Sequence, residues 1–548
     1  MELKVNSLFN ITIISGVNCG GQLEESLGKN ANYYLGRDGK TKWNKTALEP
    51  NELAHSFHPF MQGVKLESKT LSTPVECWQL FITEEMLQLI LVYTNIKIDE
   101  ILSKSQGQII HPYMKKTSFK ELKALIGLLY LAGIFKSSGE QLKDLWSTDG
   151  TGVAIFYTTM TYQRFYFLQN CLRFDNIETR AERAQFDKLA PIREIISDFV
   201  ENCKNIYTPS QYCTIGEKLD SFSGRCSFRQ YMPSKPAKFG IKSFILADAK
   251  TFYTVNLEIY AGAQPEGPYK MSNELFDIVD RLIQPICGSG RNVTFGRKYG
   301  DYDTVFNLFN QHELTAVCAL KTNKSEIPPQ FLAKDRDIYS NMFGFQNDIS
   351  IESYVPKKGK NSILLSSLHH ESCIDPSTGK ENKSEITTFY NSTKGAVDTI
   401  DELCSRYDFS RNSKRWPLTI FYSLLNIAGI NSAVVNVFNN LEAEFTSRKE
   451  FLRQLGLDLV REFLRERKDN SRIKNKISVR FGNENPGPYK LQRPARCDEC
   501  PRSRDRKTKY VCEHCKKRLC LEHIRIFCER CSGFQDPEEE FEPAFDLE

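Results

Sequence analysis

The sequence contains few long apolar runs. We identify Ala124 to Phe135 as its longest apolar stretch, which falls short of the roughly 20 residues that cross a bilayer. An N-terminal apolar patch, Leu8 to Ile14, is interrupted by Asn10 and Thr12, so we expect no signal peptide. Both observations predict a soluble intracellular protein without a membrane partner.

A strong net charge is also lacking. The formal charge of the 548-residue chain is +5, which says little about a polyanionic partner. The charge is unevenly distributed, however, because basic residues recur from Arg461 to Arg480 and from Arg502 to Arg518, ahead of an acidic tail, Asp536 to Glu548. This pattern suits a nucleic-acid binder, although a solvated charged face is its commoner meaning.

Length and hydrophobic content predict a folded chain of two to four domains. Hydrophobic periodicity and capping residues predict helices at 84–93 (with Thr83 as N-cap), 121–135, 160–172, 272–286, 397–404, 417–438 and 448–468. Strand patterns predict β-strands at 213–222, 241–247, 252–260, 292–295 and 314–321. Residues up to about Thr73, and the polar segment Pro328 to Lys383, are expected to be irregular.

The C-terminal region has a metal-ligand spacing that needs no family comparison. Its ligands form four pairs, each with two intervening residues: Cys497 and Cys500, Cys512 and Cys515, Cys520 and His523, Cys528 and Cys531. Seven cysteines and one histidine can hold two tetrahedral Zn²⁺ ions. Disulfides are the alternative, but an intracellular chain argues against them. The pairing stays open; a cross-brace would use Cys497, Cys500, Cys520 and His523 for one ion and Cys512, Cys515, Cys528 and Cys531 for the other.

Three blocks carry a family resemblance. They are Tyr207 to Lys242, the segment Gly288 to Arg297, and Tyr390 to Cys404 followed by Arg411 to Pro417. The blocks closely resemble piggyBac-type DNA transposases and the host proteins derived from them. Relatives have Thr-Ile-Asp-Glu where this chain has Thr214-Ile215-Gly216-Glu217, and an Asp-Asn pair where it has Gly296-Arg297. By the resemblance Asp398 is the third catalytic position, and Asp401 lies one helical turn beyond it.

The resemblance implies an α/β RNase H-like core with an insertion, flanked by helical domains, plus a small C-terminal cross-brace zinc module. The implied divisions are an irregular arm at 1–75, a helical dimerisation and DNA-binding region at 76–195, a transposase core at 196–435 with its insertion at about 325–385, a helical and basic linker at 436–494, a double-zinc domain at 495–532 and an acidic tail at 533–548.

The missing aspartates predict lost catalysis. A DNA-cutting site of this kind uses three carboxylates to hold two Mg²⁺ ions about 4 Å apart, and two of the three are absent here. Asp220 shares the side-chain direction of position 216 but lies about 13 Å along the strand. Asp301 and Asp303 would need a rearranged loop, and Glu217 points to the opposite face. Asp398 is then interpreted as a helix N-cap or an ordinary exposed acid.

We therefore expect a nuclear homodimer that binds double-stranded DNA without cutting it. Zn²⁺ is the expected cofactor, and Mg²⁺ would be needed only if catalysis is retained. The expected DNA-binding residues are the basic side chains of the zinc region: Arg502, Arg504, Arg506, Lys507, Lys509, Lys516, Lys517 and Arg518. Two alternatives stay open: an active Mg²⁺-dependent, TTAA-targeting transposase with shifted carboxylates, and an adaptor whose zinc module binds chromatin or other proteins.

Overall fold

The computed structural model describes residues 32–47, 62–65, 68–105, 109–135, 142–346, 348–410, 413–440, 447–468, 490–511 and 517–523. The chain divides into two compact units, 1–467 and 468–548. The finer domain limits expected from the sequence stay predictions.

The α-helices of the described residues are α1 (Pro74–Gln79), α2 (Glu84–Lys104), α3 (Phe119–Ile134), α4 (Ala154–Thr159), α5 (Tyr162–Cys171), α6 (Ile177–Arg183), α7 (Arg193–Ile206), α8 (Leu275–Ile283), α9 (Tyr302–His312), α10 (Glu385–Thr393), α11 (Ala396–Arg406), α12 (Trp416–Asn439) and α13 (Arg448–Lys468). The β-strands are β1 (Tyr33–Leu35), β2 (Lys42–Asn44), β3 (Gly63–Val64), β4 (Tyr207–Thr208), β5 (Tyr212–Ser221), β6 (Gln230–Tyr231), β7 (Phe239–Asp248), β8 (Thr254–Ile259), β9 (Asn292–Phe295), β10 (Thr315–Ala319), β11 (Asn341–Gln346), β12 (Ile349–Lys357), β13 (Lys360–Ser366), β14 (Lys490–Arg496) and β15 (Lys507–Tyr510).

A mixed sheet organises the larger unit. Its strand order is β1-β2-β11-β12-β13-β10-β9-β5-β7-β6, with β8 also paired to β7. The middle strands β5, β9 and β10 run parallel, and β7 and β8 run antiparallel beside them. The five predicted strands and the helix between the third and fourth of them are all present, with ends shifted by a few residues. These strands place positions 216 and 296 side by side.

The sequence predicted an irregular arm before Thr73. This prediction is partly wrong, because the segment contains two strands. β1 and β2 form a hairpin that joins the sheet through Asn44 and Phe345. Trp43 is fully buried, and its indole N–H donates to the Glu326 carbonyl at 2.9 Å. Burial of this one large ring fixes a polar segment that has little strand pattern of its own.

The expectation that 328–383 is irregular is also wrong. This segment contains β11, β12 and β13, which extend the sheet beyond β10. The strands were missed because polar residues alternate with apolar ones over only short stretches. Pairing within the sheet satisfies their backbone groups, which outweighs weak intrinsic strand preference.

Helix α12 is largely buried. This helix is long and apolar enough to cross a membrane, but 94% of its most apolar window is buried inside the protein. It corrects our choice of 124–135 as the longest apolar stretch. Packing of α12 against α1, α11 and β5 accounts for its apolar composition.

In the smaller unit, β14 and β15 pair antiparallel. The backbone N–H of Cys497 donates to the Arg506 carbonyl, and that of Asp498 donates to the Arg518 carbonyl. These bonds bring the end of β14 close to the chain around residue 520.

Candidate functional site

The first candidate site lies where β5 and β9 run parallel. Ile215 pairs with Phe295, so Gly216 on β5 lies beside Gly296, the residue that follows β9. The structure therefore brings together the two positions at which relatives carry aspartates. Each glycine has an ordinary backbone conformation, so neither is required there by a positive φ.

The two glycines differ in the space around them. A Cβ at position 216 would lie 2.8 Å from the Cβ of Val397 on α11, closer than real contacts allow. A Cβ at position 296 would meet no atom within 4 Å. Helix α11 thus packs directly against the backbone of Gly216, whereas the end of β9 is open.

Asp398 and Asp401 lie on α11, and a lysine joins them. The Lys235 ammonium donates to Asp398 Oδ1 at 2.8 Å and to Asp401 Oδ2 at 2.7 Å. Burial raises the pKa of Asp401, while the nearby Lys218 and Lys235 lower it. The interpretation of Asp398 as an N-cap is wrong, because Gly395 is the N-cap and Asp398 is an exposed acid of the first turn.

Most of the other nearby acids also have a lysine partner. Asp220 binds the buried Lys218 and accepts from the Ser423 hydroxyl at 2.8 Å. Glu217 accepts from Lys298 and lies 3.3 Å from the Lys242 ammonium. These contacts place Asp220 on the α12 face of β5 and Glu217 on the other face, as the alternation of strand side chains predicted.

The downstream acids lie at the N-terminus of α9. Asp301 binds the Lys324 ammonium at 2.5 Å, and Asp303 lies in the first turn of α9. Close to Gly296 the local charge is positive instead: burial and the cations Arg297 and Lys383 lower the pKa of Lys394. The remaining carboxylates do not form the three-acid set that two Mg²⁺ ions need, so this region does not fit that cofactor.

Sequence reasoning missed the lysines. Lys235 stands in Pro233-Ser-Lys-Pro236, within the first family block, yet nothing in that spacing indicates that its ammonium reaches Asp398 on α11, 163 residues further along the chain. A lysine between two prolines is compatible with an exposed turn, and only the tertiary structure shows the two contacts.

The second candidate site is in the smaller unit. The ligand atoms of Cys497, Cys500, Cys520 and His523 all lie within 4.8 Å of one another. The Sγ atoms of Cys500 and Cys520 are 3.7 Å apart, and His523 Nδ1 lies 3.4–3.6 Å from the three sulfurs. A tetrahedral Zn²⁺ with bonds of about 2.3 Å to sulfur and 2.0–2.1 Å to nitrogen requires separations of about 3.8 and 3.6 Å. The four residues therefore fit a zinc ion.

Hydrogen bonding prepares one of these thiols for metal binding. Desolvation opposes ionisation of Cys497, but the backbone N–H groups of Cys520 and Glu499 and the nearby His523 ring lower its pKa to about 6. The other predicted ligands, Cys512, Cys515, Cys528 and Cys531, lie outside the described residues. The Cys3His set is the one a cross-brace would use for one ion.

Several of the basic residues expected to bind DNA form ion pairs. Arg506 and Arg504 lie against Glu522, Lys517 lies 2.6 Å from Glu499, and Arg518 binds Asp498 through two nitrogens. Within the described part of this unit, the expected cations that make no ion pair are Arg502, Lys507 and Lys509; Lys516 lies outside the described residues. These contacts favour a partly structural role for the paired cations.

Comparisons with known proteins give the family. The family model described as "Transposase IS4", a DDE transposase model, matches residues 73–433. A solved structure, the cryo-EM structure of the piggyBac transposase synaptic complex with hairpin DNA, is similar with a TM-score of 0.73 and 32% identity, over 86% of this chain and 100% of that chain.

Curated relatives agree. PiggyBac transposable element-derived protein 3 of Homo sapiens is 22% identical over 384 residues, 65% of this chain and 60% of the relative. The human chimeric ERCC6-PGBD3 protein shows the same identity and coverage of this chain, over 34% of its own length. The chain thus spans less than two thirds of the curated relatives. The matched domain, the shared structure and the three sequence blocks agree that this chain belongs to the piggyBac-type family of transposases.

Proposed function

We propose that this protein is a piggyBac transposase-derived DNA-binding protein that does not cleave DNA. The observation that carries the proposal is the site itself: Gly216 and Gly296 replace two aspartates, and Lys235 holds the remaining Asp398 and Asp401. An ammonium bonded to both carboxylates supplies the positive charge there, so a divalent cation would have to displace it.

The sheet supports an RNase H-like core. Three strands in antiparallel succession, β5, β7 and β8, are followed by α8, β9, α9 and β10, with β5, β9 and β10 parallel. This is the element order that the family resemblance implied. The crowding of Gly216 by Val397 supports loss of metal chemistry, because an aspartate there would need α11 to move.

DNA is the partner favoured by the comparisons. The similar piggyBac structure is described as a complex with hairpin DNA. In this chain Arg297 directly follows Gly296 and lies near Lys394, so the local charge beside the open end of β9 is positive. Cations without reactive carboxylates suit phosphate contact without chemistry.

The zinc module is the second contact surface. We propose two Zn²⁺ ions in a cross-brace, of which the set Cys497, Cys500, Cys520 and His523 has supporting geometry. Arg502, Lys507 and Lys509 are the cations of this unit that we expect to meet DNA phosphates. Homodimerisation and a nuclear location complete the proposal; light scattering of the purified chain and imaging of a tagged chain test them.

The decisive experiment measures binding and cleavage together. The full chain is incubated with Mg²⁺ and a duplex that carries a related transposon end flanked by TTAA. Nicking of the duplex, strand transfer and binding of the duplex to the protein are measured. Binding without product, weakened steeply by added salt, supports the proposal.

The matched variant is Asp398→Ala. Product that disappears in this variant would overturn the proposal and indicate an active transposase with shifted carboxylates. Absence of both product and salt-sensitive binding would also overturn it and favour a chromatin or protein adaptor.

A further inference from the structure

A second group of reactive side chains lies outside the sites described above. The Cys287 sulfur is 3.4 Å from His312 Nδ1, and His312 Nε2 is 2.9 Å from Asp280 Oδ1. The three residues come from the C-terminal turn of α8, the segment after it and the end of α9. They form a line of thiol, imidazole and carboxylate, the order that activates a cysteine nucleophile.

The carboxylate sets the tautomer of the imidazole. With Asp280 accepting from Nε2–H, the lone pair of Nδ1 faces the thiol and can accept its proton. His312 is mostly buried, with 19% of its side chain exposed, so the ring is held in this orientation. Cys287 itself is partly exposed, and small reagents can reach its sulfur.

The chain after Cys287 fixes the distance between thiol and ring. The N–H of Gly288 donates to the His312 carbonyl at 2.8 Å, and the N–H of Gly290 donates to the Glu313 carbonyl at 2.9 Å. Both glycines have positive φ, 70° and 65°, which other residues rarely adopt. This short glycine-rich loop therefore clamps Cys287 against the C-terminal end of α9.

We propose that Cys287 is a site of reversible S-thiolation by small disulfides, with His312 as the general base and Asp280 as the residue that positions it. As the Cys287 sulfur attacks one sulfur of the disulfide, its proton passes to His312 Nδ1. The new bond joins Cys287 to that sulfur, the old sulfur–sulfur bond breaks, and the departing thiolate takes the proton from His312. Cys287 is oxidised and the released thiol is reduced, so no further oxidant is needed.

The same geometry argues against acyl transfer. An acyl-transfer site also needs N–H donors for a developing oxyanion. The amide N–H groups of Gly288 and Gly290 already donate to carbonyl groups, so neither is available to an oxyanion. Disulfide exchange has no such requirement, because its negative charge leaves on sulfur.

The resting pair is a neutral thiol beside a base. Burial and the Asp280 carboxylate raise the pKa of the Cys287 thiol, and the sulfur also lies 3.5 Å from the Ile283 carbonyl. Reactivity then depends on proton removal during the attack, which makes His312 the controlling residue. The site lies before β9, whereas Gly296 follows it, so this proposal stands or falls independently of DNA cleavage.

The experiment uses the full chain and oxidised glutathione. Samples are quenched with an alkylating reagent over time, and peptide mass spectrometry measures the mixed disulfide at each cysteine. Cys226 is the internal control. It is also partly exposed, and burial likewise raises its pKa, but among the described residues no imidazole contacts its sulfur. We expect Cys287 to react about tenfold or more faster than Cys226.

Variants separate chemistry from structure. His312→Gln should reduce the Cys287 rate about tenfold or more, and Asp280→Asn should reduce it less. Asp277→Asn, one turn earlier on α8, should leave it unchanged. Equal rates at Cys287 and Cys226 in the unmodified protein would overturn the proposal even if His312→Gln failed to fold. An unchanged rate in folded His312→Gln would overturn it as well.

Discussion

The two candidate metal regions differ in what their ligands face. In the smaller unit, three sulfurs and one imidazole nitrogen lie within 4.8 Å of one another. In the larger unit, the acids around Gly216 face lysine ammonium groups instead. The first arrangement offers four ligand atoms to one cation, whereas the second already has protein cations.

The difference follows from how each site is assembled. The cysteine ligands come as close pairs on short turns, so the whole set depends on a few local bends. The acidic site would collect carboxylates from β5, β9 and α11, and two of these positions are glycines here. On the function proposed above, a site built from distant strands has lost its chemistry while its scaffold persists.

The largest expected effect is at the sulfur cluster. Cys500→Ser should remove one tightly bound zinc per chain and unfold the smaller unit, because structural zinc contributes on the order of 10 kcal/mol in small domains. Metal analysis and limited proteolysis of the full chain measure this. Glu522→Gln, next to the ligand His523, is the control, and an unchanged zinc content in Cys500→Ser would contradict the assignment.

The second test compares the two glycines. Gly216→Asp should destabilise the larger unit by about 3 kcal/mol, because its Cβ would meet Val397 and its charge would be partly buried. Gly296→Asp should change stability by no more than about 0.5 kcal/mol, since that position is open. Urea unfolding measures both. Adding Val397→Ala should recover part of the stability that Gly216→Asp loses. Equal losses of stability at positions 216 and 296 would show that Val397 does not crowd position 216.

The third test removes the internal cation. Lys235→Gln should cost about 1–2 kcal/mol at neutral pH, because Asp398 and Asp401 lose a charged donor. Burial already raises the pKa of Asp401, and loss of Lys235 should raise it further. The penalty of an ionised, unpartnered carboxylate is present above that pKa and is lost as the pH falls through it.

Denaturant unfolding at several pH values measures the difference in stability between the wild type and Lys235→Gln. The exposed Lys270→Gln serves as the control. A difference that stays constant down to acid pH would show that Lys235 acts through packing and not through its charge.

The last test concerns a carboxyl group held by hydroxyls instead of lysine. Burial raises the pKa of Glu352 from 4.5 to about 7, although the Ser384 and Thr387 hydroxyls and Arg336 lower it. Between these two values the folded chain keeps a proton that the unfolded chain releases. The contribution of Glu352 to stability should therefore be largest below pH 4.5 and fall as the pH rises towards 7, by at most about 1.4 kcal/mol per pH unit.

Glu352→Gln should flatten this pH dependence, which denaturant unfolding across the range measures. Glu266→Gln, on a side chain that is 84% exposed, should not. An unchanged slope in Glu352→Gln would show that another group is responsible.

Local signals in the sequence predicted much of the fold. Thr83 caps α2 by accepting from the Met86 N–H, as its position before two glutamates indicated. The strands β5, β7, β8, β9 and β10 were found because each has a strong apolar pattern. The family blocks and the cysteine pairs were also identified from the sequence, because each depends on residues that are close together in the chain.

What the sequence by itself determined was the set of chemical groups: eight zinc-type ligands, two glycines in place of aspartates, and the apolar segments that form the core. The tertiary structure alone decided which groups meet, because contacts such as Lys235 with Asp398, Trp43 with Glu326 and Cys287 with His312 join residues far apart in the chain. Such contacts depend on how the whole sheet and its helices pack, and no periodicity or spacing along the chain encodes them.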